Sequence, residues 1–144
     1  MNTKRITRLL EFAYPLCLEI PRPKKHVSLV LRKGRVVSVG SNAMKTHPIA
    51  KEHGYMFEEM HSELDAFLRC GEPKKGLTLF NIRFNRMGQM RMARPCHRCM
   101  PWCVGVFESI WYTTDEGVML HGEGLLPINR GVKESRNEEI HTIP

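Results

Sequence analysis

Two short stretches hold the residue types that do chemistry: His61-Ser62-Glu63, and Pro95-Cys96-His97-Arg98-Cys99, in which Cys96 stands 33 positions after Glu63. A Cys-x-x-Cys where a helix begins holds two thiols close together, and the positive end of the helix dipole favours their deprotonated form. With the His61 imidazole, Cys96 and Cys99 make three nitrogen and sulfur donors suited to Zn²⁺, and three protein donors leave the fourth tetrahedral position to water. Glu63 is too close in sequence to His61 for both side chains to point at one ion from a helix, yet near enough for its carboxylate to meet that water. It therefore reads as a proton carrier rather than a ligand. Cys103, at i+4 from Cys99, offers the competing arrangement: as a fourth ligand it would close a His-Cys₃ site and make the metal structural.

Elements must bring these stretches together. Ile6, Leu9, Leu10, Ala13, Leu16, Cys17 and Ile20 recur at helical spacing and predict an amphipathic first helix from Thr3, its N-cap, which Pro15 should kink or end early. After Pro21-Arg22-Pro23, the runs Val27–Arg32 and Arg35–Gly40 flank Lys33-Gly34 and predict a tight antiparallel hairpin. Ser41 to Met60 has little periodicity and reads as a long loop, a common place for function. Leu64, Phe67 and Leu68 predict a short buried helix over His61–Cys70 before Gly71. A strand over Leu77–Phe84, a helix over Cys96–Phe107 with Pro101 in its first turns, and a second hairpin from Ser109–Thr114 and Val118–His121 around Asp115-Glu116-Gly117 complete the order. That order is an α/β domain with a mixed sheet.

The chain has 144 residues, 42% apolar and 26% charged, which suits one domain and excludes a disordered or disulfide-stapled miniature. Its 22 Lys and Arg against 15 Asp and Glu give a net charge of +7. Seven of the basic residues (Lys74, Lys75, Arg83, Arg86, Arg91, Arg94, Arg98) lie between Pro73 and Phe107, where there is no acid, and the rest of the chain balances. Such a local field favours an anionic partner, a phosphate-bearing small molecule or a nucleic acid; the competing reading is a solvated face. The apolar stretch Leu9–Ile20 is broken by Glu11, Pro15 and Glu19, so no membrane span or export signal is expected, and the reading is a cytoplasmic protein. Five cysteines (Cys17, Cys70, Cys96, Cys99, Cys103) are then reduced thiols, some of them on metal.

His61-Ser62-Glu63-Leu64-Asp65-Ala66 with Pro95-Cys96-His97-Arg98-Cys99 resembles the H-x-E and P-C-x-x-C signature of the zinc-dependent cytidine and nucleobase deaminases, element order included, over about Val27 to His121. The resemblance implies a three-layer α/β cytidine-deaminase-like domain with a mixed sheet of about five strands flanked by helices. Residues 1–128 would form it and 129–144 a polar tail. It further implies Zn²⁺ on His61, Cys96 and Cys99, and Glu63 moving protons as water converts a cytosine nucleoside or nucleotide, cytidine or deoxycytidylate, to its uracil form with release of ammonia. Val39-Gly40-Ser41-Asn42 is similar to the strand-end Gly-x-Asn of the deoxycytidylate and tRNA-adenosine branches, which carries sugar binding to Asn42; capping a turn is the alternative. Ser62 stands where the family usually has Ala. The hairpin around Asp115 to Gly117 lacks the helix those two branches place between their last strands and looks more like the antiparallel arrangement of free-nucleoside deaminases. The superfamily commonly forms dimers or tetramers, so a homo-oligomer is implied.

For a nucleotide substrate, Arg91 and Arg94 are the phosphate candidates, since Arg98 lies between the two cysteines. His47 and His53 in the long loop are further candidates to touch substrate, and Trp102 either stacks on a base or packs beneath the metal helix. Two other readings compete: a deaminase acting on a base within RNA or DNA, with Lys74 to Arg98 holding the strand, and a non-catalytic zinc-stabilised domain that binds nucleic acid or protein.

Overall fold

The structure, a computed structural model, describes residues 1–21, 24–42 and 61–126. Within these lie three helices, α1 (Thr3–Leu18), α2 (Ser62–Arg69) and α3 (Cys99–Val106), and six strands, β1 (His26–Arg32), β2 (Arg35–Ser41), β3 (Leu77–Arg83), β4 (Ser109–Thr114), β5 (Gly117–Leu120) and β6 (Gly124–Leu126). The strands form one sheet in the order β2-β1-β3-β4-β5-β6. Every neighbouring pair is antiparallel except β3 and β4, which run parallel from Thr78 opposite Ser109 to Asn81 opposite Tyr112. A parallel pair needs a long crossover, and the connection here contains the second chemical motif and α3.

Alternation along the central strands sorts their side chains between two cores. Val27, Leu29 and Leu31 of β1, with Phe80 and Ile82 of β3, meet Ile6, Leu9, Leu10, Ala13 and Cys17 of α1 on one face. Val30, Leu77, Leu79 and Ile110 meet Leu64 and Ala66 of α2 and Cys99 and Cys103 of α3 on the other. The layers are therefore helix, sheet and helices, as the expected three-layer class requires. Strands covered on both faces carry near-continuous apolar runs, which is why β1 and β3 stand out in the sequence.

The first hairpin turns on Lys33 and Gly34, both at positive φ (51° and 78°), the conformation a two-residue turn needs to match strand twist. Three expectations are corrected. The helix cap is Asn2, whose side-chain oxygen accepts from the Arg5 N–H at 2.8 Å, rather than Thr3. Pro15 does not end α1, which runs on to Leu18 because Tyr14 and Cys17, on either side of the proline, are both buried against the sheet; tertiary packing outweighs the lost backbone donor. The sheet has six strands rather than about five, since the chain after β5 turns back to pair Gly124 with Leu120. The long loop beyond Asn42, with His47 and His53, and the tail 129–144 lie outside the described residues.

Candidate metal centre

Helix α2 is fastened to the edge of the sheet before it presents anything. Ser38 Oγ donates to the Ala66 carbonyl at 2.6 Å, and the Ser41 N–H donates to Asp65 Oδ2 at 3.0 Å. Between them Gly40 touches the helix backbone so closely that a β-carbon there would stand 2.3 Å from the Ala66 nitrogen. Arg69 at the far end of the helix pairs with the other Asp65 oxygen at 2.9 Å. His61 is the N-cap residue of α2, in extended conformation, and Glu63 is buried in the first turn. The second stretch arrives from β3: Phe84 bridges to Met90, the Arg91 N–H donates to the Arg83 carbonyl, and the Ala93 N–H donates to the Thr113 carbonyl of β4. That path delivers Pro95-Cys96 to the start of α3, where the Cys99 and Met100 N–H groups close on the Cys96 carbonyl.

The two elements meet at their N-terminal ends. The donor atoms of His61, Cys96 and Cys99 all lie within 4.8 Å of one another, with Cys99 buried and the other two half-buried. Ligands roughly 2.0 Å (nitrogen) and 2.3 Å (sulfur) from a tetrahedral Zn²⁺ stand about 3.5 Å apart across a nitrogen–sulfur edge. His61 Nδ1 is 3.6 Å from Cys96 Sγ and 3.4 Å from Cys99 Sγ. The residues present thus fit such an ion. The Cys99 thiol, aided by His61 and the Cys99 and Arg98 backbone N–H groups, holds the Cys96 thiol down to about 3 although burial acts against it, so Cys96 is a thiolate at neutral pH. Among the described residues, the donors in mutual reach are these three; Cys103 and Glu63 are not in the set. Burial, with Glu63 and Cys96 adding to it, pushes the Cys103 thiol far up.

The remaining sequence candidates are placed as follows. Asn42 stands at the end of β2, where its side-chain oxygen accepts from the His26 N–H at 3.1 Å and its Nδ2 donates to the Lys24 carbonyl at 2.8 Å. The half-buried Arg91 guanidinium reaches Gln89 Oε1 at 3.0 Å, and Arg94 is exposed. Trp102 packs against Phe67 and Phe107, with ring centroids 5.8 and 6.3 Å away, as a packing residue does. Lys74 caps the C-terminus of α2 through the Phe67 and Cys70 carbonyls and lies over the Phe67 ring, so one basic residue of the acid-free segment is engaged in holding the fold.

Sequence reasoning passed over Ser28 and Asn81, and read His26 as a surface or core residue rather than a ligand. Ser28 and Asn81 are polar positions inside apolar strands, and that interruption was the available signal. Both are buried: Ser28 Oγ lies 2.8 Å from Ser62 Oγ and hydrogen-bonds the Asn81 side-chain oxygen, Asn81 Nδ2 donates to the Ala93 carbonyl at 3.2 Å, and Ser62 Oγ lies 3.3 Å from Glu63 Oε1. His26 opens β1 opposite Arg83. Burial, followed by the charges of Arg83, His61 and Lys24, lowers it from an ordinary 6.5 to about 4. A base whose folded value lies below its unfolded one favours the fold above the unfolded value. Stability from neutral His26 is therefore complete above about pH 6.5 and lost as pH falls towards 4. Melting temperature should fall through that window more steeply in the native chain than in His26→Gln, and a ring titration with its midpoint near 6.5 would contradict this.

Compared with models of known protein families and with curated proteins, the chain matches none.

Proposed function

We propose that the chain is a zinc-dependent hydrolytic deaminase that converts a cytosine nucleoside or nucleotide to its uracil form and releases ammonia. The observation that carries the reading is the meeting of His61, Cys96 and Cys99 at metal-ligand spacing with a buried carboxylate, Glu63, in the first turn of α2 and outside the donor set. A structural site has no use for that carboxylate. Zinc held by the three residues would supply a Lewis acid that brings the pKa of water to about 7. Glu63 takes a proton from the attacking water and delivers it to ring N3 of the base, which makes C4 more electrophilic. Glu63 then takes the second proton, from the hydroxyl now on C4, and passes it to the amine as the C4–N bond breaks, so that ammonia leaves and the C4 oxygen remains as the uracil carbonyl. Asn42 at the strand end would hold the sugar. For a phosphorylated substrate, Arg91 and Arg94 would neutralise the phosphate, each with charge-assisted hydrogen bonds.

The test is ammonia release by the zinc-loaded protein from cytosine, cytidine, deoxycytidine, their monophosphates, adenosine, guanine and a short single-stranded oligonucleotide. Turnover of a cytosine nucleoside or nucleotide is expected, and no turnover of any member would overturn the reading. Preference for the oligonucleotide, with a steep loss of binding on added salt, would transfer it to a base within a polymer. X-ray absorption of the same sample should show two sulfurs and a nitrogen with one further light atom. Three sulfurs would make Cys103 a ligand and the site structural.

A further inference from the structure

His61 and Glu63 come from one element and the cysteines from another, and what keeps the two in register is a buried polar line through the sheet between them. It is a run of close contacts in which Glu63 Oε1 lies 3.3 Å from Ser62 Oγ, Ser62 Oγ 2.8 Å from Ser28 Oγ, and Ser28 Oγ beside the Asn81 side-chain oxygen, the two hydroxyl protons being shared among these three contacts, and it leaves through Asn81 Nδ2, which donates to the Ala93 carbonyl at 3.2 Å. Ala93 is two residues before Pro95, and its own N–H is held by the Thr113 carbonyl at 2.9 Å. Ser28, Asn81 and Ser62 are 0%, 1% and 1% exposed, so none of these bonds is shared with bulk water. Ser28 and Asn81 face each other across the β1–β3 ladder, which makes the sheet the ruler for the separation of the two motifs.

Buried polar groups in a strand interior cost stability unless they are paired. Val30 of β1 and Leu79 of β3, two residues along on the same face as Ser28 and Asn81, are apolar and fully buried, so hydroxyl and amide at 28 and 81 are not needed to fill space. We infer that Ser28, Asn81 and Ser62 are positioning residues, a hydrogen-bonded spine that sets the α2 N-terminus, with His61 and Glu63, against the Cys96-Cys99 loop. For Glu63 this rests on the deaminase reading above; for the metal donors it does not. Groups that orient metal ligands from outside the coordination sphere change metal affinity or activity by about 10–100-fold when removed.

The full-length protein is tested with Zn²⁺ and Co²⁺ alone as probes, in Ser28→Ala, Ser62→Ala and the double variant. Affinity is read by competition with a chelator, donor geometry by the visible absorption of the Co²⁺ form, and folding by circular dichroism. Ser28→Ala is expected to lower metal affinity about tenfold and to alter the Co²⁺ spectrum. Ser62→Ala places the best helix former at the start of α2 and keeps the test open if Ser28→Ala folds poorly. It should lose a similar factor. Because one spine is cut in either case, the double variant should lose no more than the worse single one; independent sites would multiply. In the deaminase assay, kcat should fall and KM hold. Wild-type affinity and an unchanged Co²⁺ spectrum in both single variants, or losses that multiply, would overturn the spine. A native chain that binds zinc and deaminates nothing overturns the reading of function instead, and the metal affinities then decide the spine by themselves.

Discussion

Glu63→Gln should keep its metal and its melting temperature and lose turnover by about 10²–10⁴-fold, with the loss in kcat rather than in KM. The amide matches the carboxylate in shape and still presents an oxygen to Ser62 Oγ, 3.3 Å away in the native site, so packing at this buried position is preserved. What it cannot do is take up a proton and give it back. Both halves of the proposed reaction use that exchange, first from water to ring nitrogen and then to the leaving amine, which places the expected loss towards the upper end. The checks are metal content, a thermal melt and the rate of ammonia release. Undiminished deamination by Glu63→Gln would remove the carboxylate from the mechanism.

Gly40→Ala should damage the fold and the metal site together. The added β-carbon would stand 2.3 Å from the Ala66 nitrogen, 2.5 Å from the Ser62 carbonyl oxygen and 2.8 Å from the Ala66 α-carbon. All three are backbone atoms, which cannot rotate aside as a side chain does. Overpacking a core with adjustable neighbours costs about 1–3 kcal/mol; here the helix itself must lift, and the expected destabilisation is about 3 kcal/mol or more. Because His61 caps that helix, zinc affinity should fall with stability. Gly105→Ala is the control, since a β-carbon on this exposed glycine of α3 meets nothing within 4 Å. Helix propensity predicts it neutral or stabilising by about 0.5–1 kcal/mol. Denaturant titrations of the two variants that gave equal stabilities would show that the close approach of β2 to α2 is unimportant.

The donor set was legible in the sequence because its residue types are rare in combination and its spacing reflects local geometry: Cys96 and Cys99 sit one turn apart wherever the helix begins. The hairpin at Lys33-Gly34 and the strands around it were legible for the same reason, since a two-residue turn is a local decision. What was not legible depends on partners far away in the chain. The stripe through Ala13, Leu16 and Cys17 ran on past Pro15, but whether packing against β1 and β3 would outweigh the proline could not be read locally, and nothing announced that Tyr14 would be buried there. Gly124–Leu126 is too short to show a period, and its pairing with β5 makes it a strand. Gly40 read as part of a strand-end motif, while its contact with Ala66 is a property of the assembled fold. Ser28 and Asn81 were visible as oddities, but their meaning came from Ser62 and Ala93, neither of which is near them in sequence.

The parallel pairing of β3 with β4 divides the sheet into two antiparallel ribbons, β2-β1-β3 and β4-β5-β6, joined by a seam running only from Thr78–Ser109 to Asn81–Tyr112. The β1–β2, β4–β5 and β5–β6 pairs close through short local turns, whereas β3 reaches β1 only after the chain between Ser41 and Leu77 and reaches β4 only after the excursion through α3, so both pairings of β3 are costly to nucleate. The metal donors straddle this seam: His61 stands on the helix packed over the first ribbon, and the cysteines on the crossover that ends in the second. An ion bound there works as a rivet between two ribbons. A chelator should therefore loosen the seam before either hairpin, and hydrogen exchange at Asn81 and Trp111, whose amides face across the seam, should rise while the amides of the β1–β2 hairpin stay protected.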